Sequence, residues 1–95
     1  MLEKEIERRM VQTVRERGGL CYKFVSPSNP GVPDRIIITP DGRVVFVELK
    51  TETGRLAKIQ TWQLDEMRKR GADVRVAKGW PAVKALLEEV LPSGV

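Results

Sequence analysis

Asp34-Arg35-Ile36-Ile37-Ile38-Thr39-Pro40-Asp41-Gly42-Arg43-Val44-Val45-Phe46-Val47-Glu48-Leu49-Lys50 is the stretch that decides the fold. Two runs of β-branched and aromatic residues flank Pro40-Asp41-Gly42. Such runs favour strands, and Pro first with Gly last suits a three-residue hairpin loop whose Gly adopts the left-handed region. The stretch reads as strands over 34–39 and 43–50 with a turn between them. Three consecutive Ile predict that the first strand is buried on both faces. With this loop Thr39 pairs with Arg43, and counting outward sets Asp34 directly opposite Glu48. Directly opposed residues share a face, with Cβ atoms roughly 4.5–5.5 Å apart. Lys50, two residues past Glu48, projects from that same face. A slip of one residue would turn Glu48 away from Asp34, so the pairing depends on the loop type.

Outward from the hairpin, Leu2 to Arg17 reads as an amphipathic helix, with Leu2, Ile6, Met10, Val11 and Val14 on one side and Gly18-Gly19 ending it. Leu20 to Val25 alternates as a strand, with Tyr22 and Phe24 expected in the core and Lys23 on the other face. Ser26 to Pro33 is loop chemistry, and Gly31-Val32-Pro33 fixes the backbone that aims Asp34. A loop with Gly54 follows the hairpin. Leu56 to Arg70 forms a second amphipathic helix stopped by Gly71, and Val74 to Ala77 forms a short strand. A last helix starts at Pro81, is lined by Val83, Leu86, Leu87 and Val90, and is closed by Pro92-Ser93-Gly94. The order α-β-β-β-α-β-α predicts an α/β domain over 1–95, three helices packed on a mixed four-stranded sheet.

Composition narrows the chemistry. The 95 residues hold 17 Lys+Arg, 13 Asp+Glu, one Cys and no His, for a net charge of +4. One Cys precludes an internal disulfide or a Cys-based zinc site, and Cys21 reads as a buried filler. Without His there is no imidazole base and no Ser-His or Cys-His triad. Catalysis would rest on carboxylates, Lys, Tyr or a metal held by oxygen. No window is apolar enough for a membrane span and the N-terminal stretch is charged, so the expectation is a cytoplasmic protein with neither signal peptide nor organic cofactor.

Two opposed anions repel unless a cation or proton lies between them. Mg²⁺ with oxygen ligands answers this where carboxylates meet phosphate, and a Lys alongside stabilises developing charge. Charge pairs at strand ends are also common, so the same residues fit a plain ion pair of Glu48 with Lys50 or an Arg. Two helices add polar residues on core-facing sides. On the first-helix wheel Glu7 falls between Val14 and Val11, where an unpaired carboxylate is costly, while Glu3 sits at a fraying end. On the second, Gln60 and Gln63 fall within the face of Leu56, Ile59, Leu64 and Met67. Arg35, Arg43, Arg55, Lys58, Arg68, Lys69 and Arg70 are candidate phosphate contacts, as is Lys23. Trp62 and Trp80 are packing residues or base-stacking and oligomer contacts.

Gly31-Val32-Pro33-Asp34, Glu48-Leu49-Lys50, Gly54-Arg55-Leu56 and Gln60, in this order, resemble the VRR-NUC family, the virus-type replication-repair nuclease branch of the PD-(D/E)xK superfamily. The chain is similar to its stand-alone phage-type members. The resemblance implies a metal-dependent phosphodiesterase acting on DNA. Asp34 and Glu48 would hold Mg²⁺ or Mn²⁺ with the Leu49 carbonyl, Lys50 would orient the attacking water, and Gln60 would support the site. The family's helical Glu best matches Glu7, with Glu3 the alternative. Arg35, Arg55, Lys58 and Lys23 would contact DNA. Small members resemble Holliday-junction resolvases, which implies a homodimer cutting branched DNA at four-way junctions. Alternatives are the same chemistry on flap, nicked or duplex DNA, a non-catalytic DNA-binding dimer, and a protein-interaction adaptor.

Overall fold

The computed structural model describes residues 1–92. Its elements are α1 (Glu3–Glu16), β1 (Leu20–Lys23), β2 (Arg35–Ile38), β3 (Val44–Lys50), α2 (Lys58–Lys69), β4 (Val74–Lys78) and α3 (Gly79–Val90). They form one sheet in the order β1-β2-β3-β4, antiparallel except for the parallel pair β3/β4. Helix α2 is the crossover that parallel neighbours require. The expected mixed four-stranded sheet with three helices is what forms. Of the expected closing segment, Ser93-Gly94 lies outside the described residues.

Register sorts the side chains between the two faces. Cys21, Ile37 and Val45 align across three strands, and with Val47, Leu49 and Ala77 they are buried on the inner face. Helix α1 covers them with Ile6, Met10 and Val14, and α3 with Val83, Leu86, Leu87 and Val90. The outer face carries Ile36, Phe46 and Val74 in line, then Glu48 beside Val76, and α2 lays Leu64 over this side. Helix α2 is only 12 residues long and leaves the β1 end of the outer face open.

That open end corrects two expectations. Strand β1 ends at Lys23 rather than Val25, Tyr22 is 54% exposed and Phe24 just beyond it is half-buried, so the two aromatics do not both enter the core. Ile36 and Ile38 are half-buried while Ile37 is fully buried, so β2 is covered completely on one face only. Helix α3 starts at Gly79 rather than Pro81, and α2 at Lys58 because Ala57 is still extended. Trp80 packs at the core edge with the Arg9 guanidinium 4.2 Å above its ring, whereas Trp62 is 56% exposed.

Candidate active site

The site grows out of the hairpin. Gly42 donates its N–H to Thr39 O (2.9 Å) at φ 86°, and Thr39 N–H reaches Arg43 O at 2.9 Å. This is the expected three-residue loop, and Asp41 tightens it by accepting from the Thr39 hydroxyl. The register runs from Ile38↔Val44 to Arg35↔Val47, and its next step sets Asp34 opposite Glu48.

The parity of backbone groups matters as much as that of side chains. Thr39 and Arg43 are a hydrogen-bonded pair, so odd-numbered residues of β3 turn their N–H and C=O toward β2. Even-numbered ones turn to β4, as the 2.8 Å bond from Phe46 N–H to Asp73 O confirms. Asp34 and Glu48 therefore form a non-hydrogen-bonded pair, the type with closer side chains. Leu49 points its peptide groups toward β2, where the register brings Pro33. Its N–H goes to Asp34 Oδ2 at 2.9 Å. Pro33 has no N–H to offer, so the Leu49 carbonyl has no ladder donor there.

Glu48 is 1% exposed in the middle of the sheet. Its Oε2 accepts from Gln60 Nε2 at 3.0 Å and lies 3.5 Å from Lys50 Nζ. Its Oε1 is buried without any partner. Burial first, and then the Asp34 charge, push the Glu48 carboxyl up to about 7, against the opposing pull of Lys50. A buried acceptor with no donor, beside a second carboxylate, is an electrostatic deficit that a cation relieves. Among the described residues no group of three or more Asp, Glu, Cys or His is gathered tightly enough for a closed metal cage. Two carboxylates and a free carbonyl are an open oxygen set of the kind Mg²⁺ occupies, with water and phosphate filling the remaining positions.

Gln60 is held from both ends. Its Oε1 accepts the Ala57 N–H at 2.9 Å, the reach-back bond of an N3 residue at a helix start. Gly31 secures the helix beneath it. At φ +90° it comes so close to α2 that an added Cβ would sit 2.7 Å from Ile59 O and 3.1 Å from Gln60 N. Gln63 Nε2 donates to Pro30 O at 3.2 Å. The loop before Asp34 thus aims two site residues at once, Asp34 through the chain and Gln60 through contact with α2.

The other expected residues divide. Glu7 accepts from Arg35 Nε at 2.9 Å, a partly buried pair that engages both residues away from Asp34 and Glu48. Glu3 is exposed near the start of α1 and, after burial and Asp34, adds a small upward push on the Glu48 carboxyl. Arg35 is therefore not an open phosphate contact. Arg43 pairs with Asp73, Arg68 donates to Val74 O, and Lys69 and Arg70 pair with Glu66. Lys23, Arg55 and Lys58 are exposed. Sequence reasoning missed the Leu49 N–H as a partner of Asp34, for which the Pro preceding Asp34 was the available signal.

Comparison with known proteins gives the family and the fold. The model of the VRR-NUC domain family matches residues 3–81. The phage protein p44, from Acyrthosiphon pisum secondary endosymbiont phage 1, bears a provisional nuclease name. It is 52% identical over 48 residues, 50% of this chain and 52% of p44, so the match spans about half of each. A solved VRR_NUC domain superposes with a TM-score of 0.85 at 31% identity, covering 90% of this chain and 94% of that one. A second solved structure, a VRR_NUC domain protein, shares the fold with a TM-score of 0.79 at 18% identity over 99% of this chain and 91% of that one. With the family's model matched over residues 3–81 and its fold reproduced, the chain belongs to the VRR-NUC family of nuclease domains.

Proposed function

We propose that this nuclease domain is a Mg²⁺-dependent endonuclease of branched DNA that acts on four-way junctions as a homodimer. The observation that carries the metal-dependent part is the orphaned Glu48 Oε1, buried next to the Asp34 carboxylate. Asp34, Glu48 and the Leu49 carbonyl would hold Mg²⁺, with Mn²⁺ as a substitute. The ion, when bound, supplies a Lewis acid for the scissile phosphate and lowers the pKa of a bound water. Leu49 N–H and Gln60 Nε2 each hold one carboxylate oxygen, which leaves the other oxygen of each side chain for the ion. Lys50 Nζ, beside Glu48, orients the water and stabilises charge gathering on the phosphate.

Exposed apolar side chains at the uncovered end of the outer face, Leu20 (47%), Tyr22 (54%) and Val44 (44%), support a partner copy. A two-fold dimer carries two sites, matching the two equivalent strands of a junction. The test is cleavage of a labelled four-way junction and a matched linear duplex, with Mg²⁺, Mn²⁺ or EDTA, alongside sedimentation. Paired cuts in the junction that need the metal and vanish in Lys50→Ala support the proposal. Equal cutting of duplex and junction removes the junction part, and normal cutting in EDTA removes the metal.

A further inference from the structure

We propose that the solvent face of α1 is a track for the phosphate backbone of a duplex arm leading to the active site. Lys4, Arg8 and Arg15 are exposed on this helix. At 100° per residue they lie within about 40° of one another, one stripe over a rise of roughly 16 Å. They border a groove of about 620 Å³ whose floor is Val11 and the Glu7–Arg35 pair.

Three observations favour this face. The ten ion pairs among the described residues involve none of the three cations, whereas most other arginines are paired. Two acids line the groove: Glu7 is neutralised by Arg35, and Glu16 is left against Lys4, Arg8 and Arg15, so the surface stays net positive. The groove also lies beside the strand that carries the site, on the other face of the sheet, since Arg35 in its floor pairs with Val47, the neighbour of Glu48. A row of cations one or two turns apart suits a polymer with one phosphate per ~3.4 Å of axis on each strand. The partner chemistry is a phosphodiester backbone without base readout, because the groove offers extended charged side chains and no exposed aromatic platform. The proposal rests on the nuclease reading and deepens it by assigning where the uncut part of the substrate lies.

The experiment compares wild type, the triple variant Lys4→Ala/Arg8→Ala/Arg15→Ala, and the control Lys84→Ala on the exposed side of α3. Binding of a fluorescein-labelled four-way junction and a linear duplex is followed by anisotropy in Ca²⁺ across a salt series. Circular dichroism and melting confirm the fold. In the triple variant the slope of log Kd against log salt should fall by roughly 2–3, with binding at least ~10-fold weaker at 0.15 M salt. Its single-turnover cleavage rate at saturating junction in Mg²⁺ should stay within about 2-fold of wild type, since the stripe does not touch the reacting phosphate. Lys84→Ala should match wild type. An unchanged slope in a triple variant whose wild-type parent cuts overturns the track and leaves the nuclease standing. A lost slope with no wild-type cleavage keeps the track and overturns the nuclease reading. A triple variant that turns from dimer to monomer with unchanged slope gives this face to a second copy and overturns the track.

Discussion

Gly31 and Ile59 touch backbone to backbone, so closely that a Cβ on Gly31 would stand 2.7 Å from the Ile59 carbonyl oxygen. Through this contact the loop that delivers Asp34 also seats the turn of α2 that delivers Gln60. Gly31→Ala should therefore act on the site without altering a site residue. It meets both a positive φ and a clash with backbone that cannot rotate away. Thermal unfolding should show a loss of about 1–3 kcal/mol. Metal-dependent cleavage at a temperature where the variant is folded should fall further than the same loss of stability placed in α3.

Glu48 makes the stability depend on pH. Its folded-state carboxyl lies near 7, above the ordinary 4.5, so between those values the folded protein keeps a proton that the unfolded chain has released. Stability is thus greatest below about pH 4.5 as far as this group is concerned, falls as pH rises through 7, and levels off beyond. The shift is worth roughly 3 kcal/mol. Metal-free wild type should melt lower at pH 8 than at pH 5.5, while Glu48→Gln should show a flatter profile and melt higher than wild type at pH 8. Mg²⁺ competes with that proton, so calorimetric affinity should climb with pH up to about 7, and Glu48→Gln should bind weakly at every pH.

Pro33→Ala tests the backbone ligand. The substitution returns an N–H opposite Leu49, where the register lets it donate to the Leu49 carbonyl. Calorimetric affinity for Mg²⁺ or Ca²⁺ should drop several-fold, and stability should fall by about 1–3 kcal/mol, from the looser unfolded chain and from the loss of the buried Pro33 ring. Unchanged ion affinity in a folded variant would remove the carbonyl from the ligand set.

Glu3 and Glu7 should part company when each is changed to Gln. Glu7→Gln strips a charge-assisted bond from Arg35, whose side chain is only 18% exposed, and should cost about 1–3 kcal/mol in urea unfolding. Glu3 is exposed, so its substitution should leave stability within about 0.5 kcal/mol. Ion affinity separates their roles at the site: a fall in folded Glu7→Gln assigns the α1 active-site carboxylate to Glu7, and a fall confined to Glu3→Gln assigns it to Glu3.

Much of this architecture is written locally. Pro40-Asp41-Gly42 admits one loop geometry, that loop sets the register, and the register brings Asp34 to Glu48. Gln60 was legible by its place on the inward side of α2, whereas its reach-back bond to Ala57 was not, because the helix was expected to start at Leu56. What could not be read locally depends on partners distant in the chain. Arg35 meets Glu7 across 28 positions and Arg43 meets Asp73 across 30, and both arginines read as free cations until those partners are known. Tyr22 was misjudged for a related reason. Alternation in β1 identifies two faces, but only the length and angle of α2 decide how much of the outer one is roofed.

Among the described residues, β3 is the one strand with an antiparallel neighbour on one side, from Val44 to Val47, and a parallel one on the other, from Phe46 to Lys50, and it carries Glu48, Leu49 and Lys50. Its central amides should be among the last to exchange with deuterium, because Val45 and Val47 turn theirs into the β2 ladder while Phe46 and Glu48 turn theirs into the parallel one. Breathing motions that fray α1 or peel away β1 leave these three residues in their places. The domain thus keeps its reactive groups in the segment that survives partial melting, and losing their geometry and losing the fold should be nearly one thermal event.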